Sequence, residues 1–297
     1  MSLALVVPQA RLRGAFATTV ALKKGTNPSM PGHVIITGGS SGIGLAVAKS
    51  LASRGASISL IARNRERLAL ARDAVLKAGN RKAAVQTFSA DVRDPDELKK
   101  AIASAVECFG TPDWGISCAG IVIPGTFVKQ TLRDHEDQWR TNYLGSLQFT
   151  HFVLPYLEKA PKPRLVLIAS GAAFAGLYGY SSYGPAKFAV RGLAESLRVE
   201  LKPRNVSVTI AFPGDTDTPQ LHSELKLRPK VTNELASGGG VMRPEDVARG
   251  IIAAAERGDF QVTFGWQLRM LARTHSLIAP LLRNYQDWLV KRAGEDT

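Results

Sequence analysis

Three side chains in the middle of the sequence have the types and spacing that proton transfer to a carbonyl requires. Tyr183 and Lys187 are four residues apart, so on a helix they lie on one face, one turn from each other. Ser170 directly follows the apolar run at residues 165–169, which is typical of a buried strand. A hydroxyl at the end of a strand can therefore meet a phenol and an ammonium on the next helix.

The chemistry that this arrangement favours is acid catalysis by a tyrosine. A cation beside a phenol favours the phenolate and lowers the pKa of the tyrosine from about 10. We expect Lys187 to act on Tyr183 in this way, which would make a proton donor usable near neutral pH, as reduction of a carbonyl requires. A tyrosine and a lysine at this spacing also occur by chance on helices, so a catalytic role needs support from motifs elsewhere in the chain.

A second pattern, nearer the amino terminus, is typical of a phosphate-binding turn. The apolar run His33–Thr37 predicts a buried strand, and a helical pattern begins just after Gly44. Gly38 permits a sharp turn, Gly42 a close approach of the backbone to a pyrophosphate, and Gly44 tight packing of the helix on the strand. The other residues that we expect to contact a dinucleotide in this turn are Ser40, Ser41 and Ile43.

The second predicted strand, Ser57–Ala62, is followed by an arginine. In folds of this kind that position faces the adenosine ribose, where an acid binds a free 2′-hydroxyl and an arginine suits a 2′-phosphate. Arg63 stands there, with Arg65 nearby and Ser40 in the glycine turn. The sequence therefore predicts NADP(H), the alternative being a solvated surface arginine. Asp91, after the third predicted strand, is a candidate acceptor for the adenine amino group.

Strands and helices alternate through the rest of the first half. The pattern predicts helices over residues 66–77 and Pro95–Phe109, and strands over residues 83–89 and within 113–120. Asp94 is expected to cap the helix that begins with Pro95. Alternation with short turns implies a parallel sheet that is covered by helices on both faces.

Together these residues resemble the short-chain dehydrogenase/reductase family over about residues 32–264. The resemblance implies an α/β fold with one Rossmann-type, doubly wound parallel sheet in the strand order 3-2-1-4-5-6-7. Ser117 and Cys118 stand where many members have asparagines that tie the fourth strand to its neighbours, so a looser connection is expected. The motifs that carry the resemblance are TGGSSGIG at 37–44, Asp91, SCAG at 117–120, Asn142 in TNYLG, Ser170, Tyr183, Lys187 and PGDTDT at 213–218.

The resemblance also implies a role for each site residue. Tyr183 would be the general acid, Lys187 would lower its pKa and bind the nicotinamide ribose, and Ser170 would hydrogen-bond the substrate carbonyl. Asn142 would hold a water that links Lys187 to solvent. Beyond the glycine turn and the arginines, the residues implied to border the cofactor are Asp91, Val92, Ala119, Gly120, Tyr183, Lys187, Pro213, Gly214, Thr216 and Thr218.

A closer similarity within the family is to the 3-ketodihydrosphingosine reductases of sphingolipid synthesis. It implies NADPH-dependent reduction of 3-oxosphinganine to sphinganine. Reduction of another lipid carbonyl, such as a steroid or retinoid, and non-catalytic binding of NADP stay open. Because that substrate carries an ammonium beside its ketone, Asp215 is a candidate for binding it, whereas Asp217 is interpreted as a structural loop acid. The segments that carry the similarity are ITGGSSGIG, LIARNRERL, NYLGS, KFAVRGLAESLRVELKP and FPGDTDTPQ.

The composition of the chain limits the kinds of partner that the protein is expected to bind. The chain of 297 residues has 45% hydrophobic residues and a net charge of +13, which suits a globular protein with a basic surface. No basic run is interleaved with aromatic residues, which argues against nucleic acid and leaves anionic lipid or a phosphate-rich cofactor. Cys108 and Cys118 predict buried thiols in a reducing compartment. His222 has no second ligand nearby, so no metal site is expected.

The two ends of the chain differ from the predicted catalytic domain at 32–264. Residues 1–31 are apolar, basic and free of acids, which fits a membrane-surface anchor, a targeting peptide or a poorly ordered end. A lid is expected at about 215–243, where three glycines would provide a flexible base. In residues 265–297, apolar residues interleave with arginines at helical spacing, which fits a membrane-interface helix or a helix that packs on the core or on a partner subunit.

Neither end contains an apolar stretch of the roughly 18–20 residues that a membrane span needs. The sequence therefore predicts a membrane-associated protein that does not span the bilayer, and the resemblance implies the cytosolic face of the endoplasmic reticulum. A cytoplasmic or organellar location after amino-terminal targeting is the alternative, and a homo-oligomer is left open.

Overall fold

The strands of the protein form one parallel sheet in the predicted order. The computed structural model describes residues 32–80, 82–236 and 239–293, so the predictions for residues 1–31 lie outside it. Within the described residues seven strands pair in the order 3-2-1-4-5-6-7, and all six pairings are parallel. The strands are β1 His33–Thr37, β2 Ser57–Ala62, β3 Val85–Ser89, β4 Trp114–Ser117, β5 Arg164–Ile168, β6 Ser207–Phe212 and β7 Gln261–Thr263.

Helices connect these strands and cover both faces of the sheet. A five-residue π-helical segment, Arg140–Leu144, joins the fourth helix to the fifth. The helices are α1 Gly42–Ala52, α2 Arg65–Ala78, α3 Pro95–Phe109, α4 Leu132–Trp139, α5 Gly145–Leu157, α6 Tyr183–Glu200, α7 Pro219–Leu225, α8 Lys230–Ala236, α9 Pro244–Arg257 and α10 Gly265–Ala293.

Side chains of the strands point alternately to the two faces of the sheet, which divides the core into two layers. Ile36 of β1 packs with α1 and α9, for example against Val47 and Ile251, on one face of the sheet. The neighbouring Ile35 points to the other face, where the core includes Val153 of α5. Because successive side chains of a strand alternate between faces, a strand that is apolar throughout must be covered on both sides. The doubly wound α/β fold is therefore confirmed.

Local signals set several element boundaries. The Asp94 side chain accepts hydrogen bonds from the backbone N–H groups of Asp96 and Glu97, at 2.9 and 3.0 Å, and so begins α3 at the predicted residue. The Asn64 side chain accepts one from Arg67 N at 2.7 Å. This cap begins α2 at residue 65, one residue before the predicted start. The third strand begins at Val85, two residues after the prediction.

The connection around β4 is made by hydroxyl groups. Ser117 Oγ donates to Ser146 Oγ of α5 at 3.1 Å. The backbone N–H groups of Cys118 and Ala119 donate to Thr37 Oγ1 at 3.3 and 3.4 Å, which joins β4 to β1. Serine and threonine thus supply hydrogen bonds at a place where asparagines are common in the family. Cys118 is half-buried and Cys108 is exposed, so the prediction of a buried thiol is wrong for Cys108, because its position on α3 faces solvent.

The carboxy-terminal helix α10 packs on the core with one face only. Leu271 and Ala272 contact the core layer of α5 and α6. Leu268 lies next to Gly171: a Cβ on Gly171 would be 2.7 Å from a methyl group of Leu268. The exposed apolar side chains on the helix are Trp266, Met270, Leu277, Leu281, Tyr285 and Trp288. Among the described residues, no helix combines the length and the apolar character that crossing a membrane demands.

Candidate active site

The carboxyl ends of the parallel strands border one large cavity. It has a volume of about 850 Å³ and lies between the glycine turn, the first turn of α6, the loop after β6 and α10. The strand order reverses between β1 and β4, and in open α/β sheets ligands bind where this occurs. The cavity therefore occupies the place where the fold itself creates a crevice.

The glycine turn leaves room that side chains would fill. Gly38 and Gly42 have φ angles of +67° and +54°, which favour glycine. A Cβ on Gly42 would lie 2.9 Å from the methyl group of Thr218, which also borders the cavity. A Cβ on Gly44 would lie 2.5 Å from the Gly38 carbonyl oxygen, so Gly44 allows α1 to pack on the turn. No side chain caps the N-terminus of α1, and no acid stands in its first turn.

The structure brings Ser170, Tyr183 and Lys187 together. Tyr183 is the first residue of α6, and Lys187 follows one turn later. Ser170 lies two residues after the last residue of β5, and its side chain interacts with the Tyr183 phenol. Lys187 Nζ lies 5.6 Å from the centre of the Tyr183 ring and donates to the Ile168 carbonyl at 3.1 Å. The predicted meeting of a hydroxyl, a phenol and an ammonium is therefore present.

Burial dominates the electrostatics of Tyr183 and Lys187. Burial raises the pKa of Tyr183, and the hydrogen bond with Ser170 only partly opposes that effect. Burial also lowers the pKa of Lys187 from 10.5 to about 8. Removal from water penalises both the phenolate and the ammonium. The expectation that Lys187 lowers the pKa of Tyr183 stays a prediction, and the largest effect on both groups here is desolvation.

Asn142 lies in the π-helical segment and fastens the loop after β4. Its Oδ1 accepts from Ile121 N at 3.0 Å, and its Nδ2 donates to Ile121 O at 2.9 Å. A Cβ on Gly120 would lie 2.9 Å from Asn142 Oδ1 and 3.6 Å from Lys187 Nζ. Asn142 is thus close to Lys187, and π-helical segments are frequent at functional sites.

At the opposite end of the cavity, Arg63 is 55% exposed and its Nη1 is 3.7 Å from Asp91 Oδ2. Arg93, which the sequence analysis missed, holds Asp91 more firmly through Nε and Nη2, at 3.0 and 2.7 Å from Oδ2. Burial alone would raise the pKa of Asp91, but the hydrogen bonds from Arg93 outweigh it, so this pKa lies below its usual range. Arg93 also binds Asp137 on α4, a contact that only the tertiary structure reveals.

Most of the predicted site residues border the cavity, but three do not. Gly44 lies beneath the turn, Arg65 is an exposed residue at the start of α2, and Asp91 faces Arg93. Arg67 and Asn64, which were not predicted, do border it. The predicted residues in the lining are Gly38, Ser40, Ser41, Gly42, Ile43, Arg63, Val92, Ala119, Gly120, Asn142, Ser170, Tyr183, Lys187, Pro213, Gly214, Asp215, Thr216 and Thr218.

Asp215 has a partner that the sequence analysis missed. Arg228 donates to both of its carboxylate oxygens, at 2.6 and 2.9 Å, and also binds Glu224. The spacing of four residues between Glu224 and Arg228 was the available signal, since it suggests a helical ion pair. Asp217 instead binds the exposed His222, with 2.7 Å between Oδ1 and Nε2, as a loop acid and a surface histidine would. Within the described ranges, no group of side chains has the composition of a metal site.

Comparison with known proteins agrees with this geometry. A family model described as short chain dehydrogenase matches residues 32–228. The chain belongs to the short-chain dehydrogenase/reductase family. It is 38% identical to a 3-dehydrosphinganine reductase of Danio rerio, over 84% of this chain and 76% of the relative. It is also 38% identical to a 3-ketodihydrosphingosine reductase of Mus musculus, over 85% and 77%, and 32% identical to one of Dictyostelium discoideum, over 94% and 88%.

As a member of this family the chain is an oxidoreductase, and its cofactor is NADP(H). The residues fit that group. The uncapped N-terminus of α1 and the glycine turn, which borders the cavity, suit a pyrophosphate, because free backbone N–H groups and the helix dipole favour an anion. The exposed guanidinium of Arg63 borders the same cavity and suits a 2′-phosphate.

The burial of Lys187 predicts a pH-dependent stability. Between about pH 8 and 10.5 the folded protein has released a proton that the unfolded chain still binds, since burial lowers the pKa of Lys187 to about 8. The free energy of unfolding should therefore rise with pH across this window relative to Lys187→Met, by up to roughly 3 kcal/mol. Urea unfolding of both proteins at several pH values measures this. A stability difference that does not change with pH would contradict it.

The position of Arg63 predicts a preference for NADPH over NADH. Arg63→Asp should reverse this preference, because a carboxylate repels a 2′-phosphate and accepts a hydrogen bond from a 2′-hydroxyl. The measurements are kcat/KM and the dissociation constant for each cofactor. Arg65→Asp makes the same change of charge outside the cavity lining and should alter the preference less. Equal kcat/KM for both cofactors in the unmodified protein would disprove the role of Arg63.

Proposed function

We propose that this protein reduces 3-oxosphinganine to sphinganine with NADPH, as a step of sphingolipid synthesis. The observation that carries the proposal is that the Ser170–Tyr183 pair and apolar side chains of α10 line one cavity. The α10 side chains are Leu268, Leu271 and Leu282. Each methylene that leaves water there contributes about 0.8 kcal/mol, which favours a long alkyl chain. The names of the relatives support the same substrate.

Ser170 and Tyr183 would act together on the substrate ketone. The Ser170 hydroxyl donates a hydrogen bond to the carbonyl oxygen, and the Tyr183 phenol transfers its proton to that oxygen as negative charge develops there. NADPH supplies the hydride when it is bound. Because Tyr183 is buried and its pKa is raised, it keeps its proton until a strongly basic alkoxide forms beside it.

Lys187 would return the proton to Tyr183. Its pKa of about 8 is lower than that of the buried phenol, so transfer from the ammonium to a Tyr183 phenolate is favourable. Asn142, whose amide is fixed on Ile121, would hold the water that connects Lys187 to solvent. In this proposal Lys187 acts as a proton donor to the tyrosine, and lowering of the tyrosine pKa is not required.

A substrate panel tests the proposed reaction against the two alternatives. NADPH oxidation should be fastest with 3-oxosphinganine and much slower with steroid, retinoid and simple fatty ketones. A higher kcat/KM for one of those ketones would assign the enzyme to another lipid carbonyl. No oxidation with any ketone, despite binding of NADPH, would indicate a non-catalytic binding protein.

The role of Tyr183 is tested separately. Tyr183→Phe should abolish turnover and leave NADPH binding nearly unchanged, because only the transferable proton is removed. Tyr156→Phe is the matched control, since a lysine Nζ lies 5.7 Å from the Tyr156 ring but Tyr156 is outside the cavity lining. Turnover of Tyr183→Phe within tenfold of the unmodified protein, a barrier change below about 1.4 kcal/mol, would exclude Tyr183 as the acid.

The outer face of α10 is proposed to lie on a membrane surface at the cytosolic side of the endoplasmic reticulum. Leu277 and Leu281 are 81% and 71% exposed, and they belong to a helix that also carries several arginines and lines the cavity. Exposed apolar side chains with interleaved cations suit an anionic lipid interface. A substrate that is dissolved in lipid could then reach the cavity without crossing water.

Sedimentation with anionic phospholipid vesicles tests this surface. The full chain should sediment with the vesicles, and the double variant Leu277→Ser/Leu281→Ser should bind at least several-fold more weakly, because it removes apolar area from the interface. Val199→Ser, on the exposed side of α6, is the control and should bind like the unmodified protein. Equal binding by all three proteins, or none by the unmodified one, would contradict the proposal.

A further inference from the structure

A buried ion cluster lies in the cavity wall next to Tyr183. Arg228 is at its centre, with a side chain that is only 2% exposed. It binds Asp215, from the loop after β6, and Glu224, from α7. Tyr180, just before α6, donates its hydroxyl to Glu224. The four residues thus join α7 and the residues just after it to the loop after β6 and to the segment that precedes Tyr183.

The cluster is not electrically balanced. Two carboxylates share one guanidinium, so one negative charge is left over in a wall that is largely removed from water. An uncompensated charge in such a place is costly unless it has a partner. The side chains that form this wall all border the cavity: Tyr180, Asp215, Glu224 and Arg228.

The two carboxylates differ in how their oxygens are used. Both oxygens of Asp215 accept hydrogen bonds from Arg228. In Glu224, the donors from Arg228 and Tyr180 all go to Oε1. Within the described residues Oε2 accepts no hydrogen bond, although the Glu224 side chain is only 8% exposed. Since Oε2 is not among the fully enclosed unpartnered atoms of the described residues, it keeps some accessible surface, and Glu224 borders the cavity. A carboxylate oxygen that has no donor and is reachable from the cavity is the place where a ligand cation would be stabilised most.

The cluster is also near the position of the reacting carbonyl. The Tyr180 and Tyr183 rings are in edge contact, with their centres 5.4 Å apart, and the hydroxyl of Tyr180 is bonded to Glu224. Burial is the main cause of the raised pKa of Tyr183, and the charges of Glu224 and Asp215 add to it while Arg228 opposes it. Glu224 therefore lies within electrostatic reach of the phenol that the ketone must approach.

We propose that Glu224 is a specificity-determining residue that binds a protonated amine on the carbon next to the substrate ketone, through Oε2. This inference rests on the proposed function, because only an amino ketone brings an ammonium so close to the reacting carbonyl. Arg228 and Tyr180 position Glu224 by occupying Oε1. Asp215, the acid that the sequence favoured for this role, then serves to hold Arg228.

The test compares two substrates that differ only in the amine. They are 3-oxosphinganine and the same hydroxyketone with hydrogen in place of the amino group. The unmodified enzyme should favour the amine by about ten- to a hundredfold in kcat/KM, the range of a charge-assisted hydrogen bond. Glu224→Gln preserves the shape and Oε1 and should lose most of this ratio. A ratio that Glu224→Gln leaves unchanged would overturn the proposal.

Asp215→Asn is the matched comparison, because it makes the same change of charge within the same cluster. Direct contact by Glu224 predicts a clearly larger loss of the amine preference in Glu224→Gln than in Asp215→Asn. Equal losses would mean that the total charge of the cluster is recognised, and a larger loss in Asp215→Asn would assign the amine to Asp215. Either result would overturn the assignment to Glu224.

Binding gives a second readout that does not depend on turnover. Calorimetry in the presence of NADPH, with which sphinganine cannot react, should show weaker sphinganine binding to Glu224→Gln and little change for deaminated sphinganine. Failure of the proposed function is distinguishable from failure of this inference. An enzyme that reduces neither ketone disproves the function, whereas one that reduces both equally well disproves only the role of Glu224.

Discussion

The removal of Tyr183 and Lys187 from water is the constraint on which the site depends. The two side chains are 9% and 5% exposed, because the first turn of α6 packs against the end of β5. Desolvation raises the pKa of the phenol and lowers that of the ammonium, so the lysine becomes the stronger acid of the two. An open site with the same residues would leave the two pKa values near 10 and 10.5, so this separation between the phenol and the ammonium would be absent.

Charged groups tie the segment with α7 to the elements around Tyr183. Arg228 connects this segment to Asp215 in the loop after β6, and Glu224 connects it to Tyr180. Burying an arginine is expensive unless its donors are satisfied, and two carboxylates satisfy them here. The same contacts that hold this segment in place therefore also bring two carboxylates to the cavity wall.

Much of the fold could be predicted from the sequence because its signals are local. The boundaries of β1, β2 and α3 agree with the apolar runs and with the Asp94 cap. The strand order followed from the family resemblance, and the glycine turn from three glycines between a strand and a helix. The lid was predicted only as an irregular segment, since α7 and α8 are seven residues each and contain too few apolar positions to show a helical period.

The sequence by itself determined which groups are present and the helical spacing that puts Tyr183 and Lys187 on one face. It also determined that Ser170 follows one strand and that Arg63 follows β2. The tertiary structure alone decided which charges meet, such as Arg93 with Asp91 and Arg228 with Asp215. It also decided the direction in which the pKa values move. The physical reason is that ion pairing and desolvation depend on distance in space and on exclusion of water, and neither is encoded in residue type or local spacing.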